Sequence, residues 1–434
     1  MPRILMLAPA CYPLTGPEQI VNTKLVLAGI RAGWEIDVFS MMHGGYSYPW
    51  ETSDIWQSVA ERIVYAPQTL SERSPSRFAM EIWGALQTGC PTRGAAWAAW
   101  AVRKGTQMAR SRHYDFILSR SFPAFIAGPI LSHRTGIPLI MNWNDPWPPS
   151  AYPLPYGKGR NAAFSRSERS ILGRAARRAV WHTFPSERLR RYMCPYLSED
   201  VLGRSSVIPH VALSELCRKP TPHDEDCFLI CHAGYAGEDR QLGALCAGIR
   251  QFMNNHTEKI LLMIRTFGSS IGNLTKLAHT EGIGDCISSV NPMPYEKSLD
   301  VLAGSDCLMI MEGLWEEGVF LPSKMADYAQ IGLPILALTP KSSEVGDILR
   351  AHGGGIAADN ASPHDVAKAI QRLYLSWKKK TLQNEYGSSH LYSIFGEDTV
   401  MKQYAELFHK LAEREHRTDD FCDRPAQQAP GNFK

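Results

Sequence analysis

The chain has 434 residues, of which 44% are hydrophobic, 10% aromatic and 21% charged. This is the make-up of an ordinary globular protein of two or three domains, and it excludes disordered, collagenous and small disulfide-stapled classes. Lys plus Arg number 46 against 43 Asp plus Glu, a formal net charge of +3, too near balance for a dedicated nucleic-acid binder.

The opening MPRILMLAPACYP carries too short an apolar run for a secretion signal and reads as a first strand. No window approaches the run of about 18 apolar residues that a membrane-spanning helix needs. Strand-length apolar runs follow at Ile4 to Ala8, Glu35 to Phe39, Phe116 to Leu118, Pro138 to Met141 and Val180 to Phe184, separated by helix-length segments. The first helix is placed by Pro17 at its start, by Ile20, Lys24, Leu27 and Ala28 at helical spacing, and by Gly33 at its end.

After the polar, proline-bearing LSELCRKPTPHDEDC the alternation restarts, with strands predicted at Phe228 to His232, Ile260 to Arg265, Cys286 to Val290, Cys307 to Met311 and Pro334 to Leu338. The expected architecture is α/β: two doubly wound domains over residues 1–214 and 215–390, facing a cleft beyond the carboxyl ends of their strands. A closing helix is expected over 391–415, with Val400, Tyr404, Leu407, Phe408 and Leu411 on one face, and a loose tail over 416–434. The ten cysteines show neither a CxxC pair nor a Cys–His set at zinc spacing, so reduced thiols in a cytosolic protein are expected.

The most informative stretch is EEGVFLPSKMADYAQIGLPILAL, residues 316 to 338, which reads as loop, helix, turn and strand. Ser323 suits a helix N-cap and Gly332 a C-terminal stop. Lys324 then falls in the first turn, where free N–H groups and the helix dipole favour an anion such as phosphate. Asp327, one turn on, offers two acceptor oxygens to adjacent sugar hydroxyls; a plain surface Lys–Asp pair at this spacing is the alternative. In HAGYAGEDR, residues 232 to 240, Gly234 and Gly237 permit close approach of backbone to a ligand, and Arg240 presents a fork of donors to phosphate oxygens. An exposed arginine on an ordinary strand-to-helix turn is the alternative there.

These motifs resemble those of the retaining nucleotide-sugar glycosyltransferases of family 4, whose GT-B fold sets two Rossmann-like domains across a cleft. The resemblance covers roughly residues 3 to 411 and lies in the variant with PSK before an acidic helix and a Gly-x-Pro turn, here Pro322, Ser323, Lys324, Asp327, Gly332 and Pro334. It implies that Arg240 and Lys324 contact the donor diphosphate, Asp327 the ribose, and Glu317 with Gly318 the donor sugar. Asp327 stands where the family usually has Glu. Gly16 is similar to the family's glycine turn after the first strand, near the donor phosphates. Asn144 and Asp145 occupy the place of a His-Asp-like element, so Asn144, Asp145 and Trp147 are expected on the acceptor side, with capping of the turn before Pro146 an equal reading of Asp145.

Residues 158–191 hold ten Lys or Arg against two Glu, either a solvated face or a surface for an anionic membrane or a pyrophosphate-linked lipid. The function expected from the resemblance is hexose transfer, with retention, from a nucleoside-diphosphate sugar (UDP or GDP) to a hydroxyl of a glycan or lipid-linked acceptor, in cell-envelope polysaccharide biosynthesis. The groups expected at the reacting bond are Arg240, Lys324 and Asp145. Neither a metal nor another cofactor is implied, and the expected location is the cytoplasm, with peripheral contact on the inner face of the membrane. The rivals are a sugar-nucleotide epimerase or hydrolase of the same fold and a catalytically silent nucleotide-sugar binder.

Overall fold

A computed structural model of the chain describes residues 1–13, 16–41, 54–70, 75–213, 216, 220, 226–234, 242–255, 262–267, 272–291 and 293–422. The first sheet comprises β1 (Arg3–Leu7), β2 (Glu35–Ser40), β3 (Ile63–Tyr65), β4 (Phe116–Arg120), β5 (Leu139–Asn142), β6 (Ala179–Phe184) and β7 (Ser205–Val207). The second comprises β8 (Phe228–Ala233), β9 (Leu262–Phe267), β10 (Ile287–Val290), β11 (Cys307–Met311), β12 (Ile335–Thr339) and β13 (Gly355–Asp359). Helices of the first half are α1 (Pro17–Arg31), α2 (Asp54–Ala60), α3 (Arg77–Thr88), α4 (Ala95–Ala109), α5 (Ala124–Thr135), α6 (Arg166–Arg178) and α7 (Glu187–Leu197). The second half adds α8 (Leu242–Asn254), α9 (Gly272–Thr280), α10 (Tyr295–Ala303), α11 (Lys324–Ile331), α12 (Glu344–His352) and α13 (Pro363–Lys378). The chain closes with α14 (Leu382–Tyr386), α15 (Tyr392–Phe395) and α16 (Glu397–Cys422).

Strand order is β3-β2-β1-β4-β5-β6-β7 in one sheet and β10-β9-β8-β11-β12-β13 in the other, with every pairing parallel. Parallel strands covered by helices on both faces need near-continuous apolar runs. The central strands meet this: Phe116–Arg120, Cys307–Met311 and Ile335–Thr339 are buried along their whole length. These are the strands the sequence predicts, to within a residue or two at each end. The strands it does not predict, β3, β7 and β13, lie at sheet edges and are half-buried over most of their length, so they lack the apolar run that would mark them.

Helix α1 starts at Pro17 and the chain turns at Gly33, whose φ is +85°. Its residues Val21 to Gly29 are all buried, because α1 is enclosed by the first sheet, the second domain and α16. The α16 face carrying Val400, Tyr404, Leu407, Phe408 and Leu411 is buried. It returns to the first domain, where Tyr404 and Phe408 meet Trp34 edge-on at 5.3 Å and Phe408 stacks on Phe116 at 5.0 Å. The helix runs on to Cys422, into the segment expected as tail: helical geometry, once nucleated by the packed turns, propagates past the last apolar anchor at Leu411. Among the described residues no helix is long and apolar enough to cross a membrane, and the described cysteines from Cys11 to Cys307 are free thiols.

His182, His210 and His232 are buried, and burial keeps the first two from protonating. His182 on β6 accepts a hydrogen bond from the Trp143 indole N–H at 3.1 Å. Burial, then the charge of Arg204, lowers its pKa to about 3. His210, after β7, is lowered to about 3 by burial and then by Arg120 and Lys24. The unfolded chain therefore binds protons below pH 6.5 that the fold refuses, so stability falls as pH drops from 6.5 towards 3. The loss is at most about 1.4 kcal/mol per pH unit for each histidine. Chemical denaturation between pH 7 and 5 should show this slope, and His182→Gln should flatten it; a midpoint independent of pH would contradict the assignment.

Candidate active site

Strand order reverses between β1 and β4 in the first sheet and between β8 and β11 in the second. At each reversal the connections leave in opposite directions and open a crevice beyond the strand ends, the place where such sheets bind ligands. The residues that follow these four strands form the facing walls of the cleft.

On the second wall, β8 is followed by Gly234, with φ +127°, a backbone conformation that L side chains rarely adopt. A Cβ built there would lie 2.9 Å from the Lys324 ammonium, so glycine is what lets the lysine lie across the strand end. Lys324 is the first residue of α11, and the hydroxyl of its N-cap, Ser323, makes no capping bond. The positive end of the helix and the ammonium thus share one spot, as expected from the sequence. The helix stops at Gly332, φ +83°. Arg240, the other expected phosphate contact, lies outside the described residues.

Asp327, expected at the ribose, lies one turn into α11. It is buried, and its Oδ1 accepts hydrogen bonds from Lys24 Nζ of α1 at 2.6 Å and from the Tyr295 hydroxyl of α10 at 2.7 Å. In this arrangement one carboxylate oxygen joins the two domains. The sequence places Asp327 on the right helix face but cannot show that a lysine more than 300 positions earlier occupies it.

Glu317, expected at the donor sugar, also bridges the domains, pairing with Arg160 at 2.9 Å and Arg188 at 3.4 Å. Arg188 in turn binds Asp347 at 2.5 Å. Gly318 donates its N–H to Ser342 O at 2.8 Å, and a Cβ on it would lie 2.5 Å from the Ser343 Cβ, so its lack of a side chain serves the packing of this loop.

The first wall is built on α1. Gly16 is the N-cap of that helix in extended conformation, so the expected turn needs no left-handed backbone. The Glu18 carboxylate, in the first turn of α1, accepts from Asn22 Nδ2 at 3.0 Å and from Asn144 Nδ2 at 2.9 and 3.0 Å. The oxygens of the same two amides accept from Arg120, at the end of β4. A nearly buried guanidinium and a carboxylate are thus joined through two asparagines, which fixes Asn144 within the wall.

Asp145 follows, open to cleft solvent. Desolvation by the surrounding protein, then the Glu18 charge, pushes its carboxyl up to about 7. Trp147 stacks on Phe122 at 5.4 Å. Tyr152 crosses to the second domain, meeting Trp315 at 6.1 Å and Phe320 at 5.4 Å.

Sequence reading missed Glu18, Lys24, Arg120 and Tyr295. The available signal was polarity in the wrong place: Asn22, Thr23 and Lys24 interrupt the apolar run from Ile20 to Ile30, and Arg120 ends an apolar strand. The finished wall offers acceptor oxygens, one of them on a carboxyl titrating near neutrality. The opposite wall offers the Lys324 ammonium and the positive end of the α11 dipole.

No family model and no curated protein matches the sequence. Solved structures do match, by shape. HepE of Anabaena, in complex with UDP and glucose, has a TM-score of 0.66 at 14% identity over 94% of this chain and all of its own. Sucrose-phosphate synthase of Thermosynechococcus elongatus gives 0.68 at 14% over 95% of this chain and all of its own. A Listeria monocytogenes protein assigned as a UDP-N-acetylglucosamine 2-epimerase gives 0.56 at 12% over 95% of this chain and 97% of its own. The fold is GT-B, as the sequence leads one to expect.

The Lys24–Asp327 pair is dry enough that removing one partner should leave a costly unpaired charge. Lys24→Met should destabilise the protein by about 3–5 kcal/mol, and adding Asp327→Asn should restore part of the loss. Equal denaturation midpoints for wild type and Lys24→Met would show that the pair contributes nothing.

Proposed function

We propose that this GT-B protein is a glycosyltransferase that moves a hexose from a nucleoside-diphosphate sugar, UDP or GDP, to a hydroxyl of a glycan or lipid-linked acceptor, with retention of configuration. The observation that carries the reading is the meeting of Lys324, the α11 N-terminus and Gly234 at the switch point of the second sheet, a site made for a diphosphate. The same fold holds UDP and glucose in HepE. We read the pathway as cell-envelope polysaccharide synthesis at the cytoplasmic face of a membrane, with residues 158–191 towards the lipid.

As the bond between sugar and diphosphate breaks, negative charge grows on the leaving phosphate. Lys324, Arg240 and the helix dipole stabilise that charge more than the ground state, so they lower the barrier without a metal. The departing phosphate takes the acceptor proton on the face at which the acceptor attacks. Asp145, opposite, accepts a hydrogen bond from the acceptor hydroxyl and orients it, and Trp147 adds an apolar face to the acceptor side. In this reading Asp327 turns to the ribose when Lys24 releases it.

A second reading, epimerase chemistry on a UDP-sugar, is favoured by the shape match to the Listeria protein. It differs in consuming donor with no acceptor present.

Lys324→Ala and Arg240→Ala should each weaken nucleoside-diphosphate binding about tenfold or more, the effect of losing one charge-assisted hydrogen bond, while leaving the fold intact. Calorimetric titration with UDP and GDP reads this, and unchanged affinity in both variants would remove the donor site from these residues. Because the Asp145 carboxyl is raised to about 7, its ionised, accepting form fills as pH rises through that value. Thus kcat/KM for acceptor should climb through pH 7 in wild type and lose that step in Asp145→Asn. A step that survives the substitution would assign it to another group.

A further inference from the structure

Helix α3 presents an apolar stripe to water. Phe78 is 80% exposed, Ile82 49% and Leu86 79%, at positions i, i+4 and i+8, one line along the helix. A single large exposed apolar residue is ordinary, but a contiguous row on one face marks a contact surface. The acid of this helix is turned away from the row: Glu81 accepts from the backbone N–H groups of Gly94 at 2.9 Å and Ala96 at 3.1 Å.

At the far end of the stripe the charge is positive. Arg174 of α6 reaches over to Thr88 O at 2.9 Å and Cys90 Sγ at 3.4 Å. Next to it lies a mostly apolar surface pocket of ≈ 350 Å³, floored by Pro129 and Ile130 and rimmed by His133, Arg174, Arg177 and Arg178. Apolar side chains beside clustered arginines match the two parts of a bilayer surface, acyl chains below and anionic headgroups above.

The stripe also stands beside the acceptor wall. Gly94, held by Glu81, packs so closely on Pro123 that a Cβ on it would lie 2.7 Å away, and the neighbouring Phe122 stacks on Trp147. A membrane under α3 would therefore lie at the side of the cleft where Asp145 waits.

We propose that α3, through Phe78, Ile82 and Leu86, together with the adjoining arginines of α6, docks this protein on an anionic lipid bilayer. This narrows the membrane contact suggested for residues 158–191 to the arginines that adjoin the stripe, Arg174, Arg177 and Arg178; Arg160 and Arg188 face the second domain. It rests on the membrane part of the reading above and is independent of the transfer reaction.

The test is sedimentation of the full chain with vesicles of phosphatidylglycerol and phosphatidylcholine, against vesicles of phosphatidylcholine alone, with no sugar nucleotide present. Wild type should pellet with the anionic vesicles, and Phe78→Ser with Leu86→Ser should lower the partition coefficient at least tenfold while the thermal midpoint shows a folded protein. Phe78→Leu should retain binding, and Arg177→Gln should weaken it at low salt only. Equal pelleting of wild type and the double variant, or no pelleting of wild type, would overturn the proposal. So would self-association in lipid-free buffer that the double variant abolishes, which would assign the stripe to a second copy of the chain. Because no substrate enters the assay, its outcome is separate from that of the nucleotide titrations.

Discussion

Asp327 takes the Lys24 ammonium and the Tyr295 hydroxyl on one oxygen, at 2.6 and 2.7 Å, in a place from which water is nearly excluded. Such a pair holds only when its geometry and its extra hydrogen bonds offset the desolvation of both charges. The first turn of α11 helps, since its dipole favours the carboxylate. Lys324 sits in that same turn, so the pair that fixes Asp327 against α1 also fixes the ammonium over Gly234. Glu18 stands two turns before Lys24 on α1, and through Asn144 it positions the segment that bears Asp145. Both walls of the cleft are thus referred to one interdomain contact.

The cleft is electrically asymmetric. Its second-domain side gathers Lys324 and a helix N-terminus, and its first-domain side gathers Glu18 and Asp145. Behind this wall the buried Arg120 guanidinium bonds the oxygens of Asn22 and Asn144, and so carries a positive charge beneath the two carboxylates. An anionic leaving group and a hydroxyl nucleophile would each find the wall suited to it. Desolvation by the surrounding protein, with the like charge of Glu18 second, raises the Asp145 carboxyl.

The basic segment shows how far a charge count can mislead when it is read without contacts. Arg160 and Arg188 bind Glu317 and Asp347 across the domains, and Arg190 and Arg191 bind Glu187. What remains towards solvent near an apolar surface is a small arginine group beside α3. Its neighbours Phe78 and Leu86 drew no attention in the sequence, where a helix of alternating Arg, Phe, Met, Ile and Leu looks like any helix with a buried face.

Local physics made much of the molecule legible without coordinates. Apolar runs of strand length, Pro17 at a helix start, Gly33 and Gly332 at helix ends, and the Val400 to Leu411 face all obey rules that act within a few residues, and the two-domain α/β organisation follows from their rhythm. The same rules put Lys324 in a helix first turn and Gly234 at a strand end. Tertiary structure alone decided what those residues touch. That Asp327 faces Lys24, that Glu317 faces Arg160, that Glu18 and Arg120 are linked through two asparagines, and that the apolar face of α3 lies uncovered are all results of bringing distant segments together. Hydrogen bonds and ion pairs act over a few ångströms in space, and separation along the chain carries no record of which groups will come within that range.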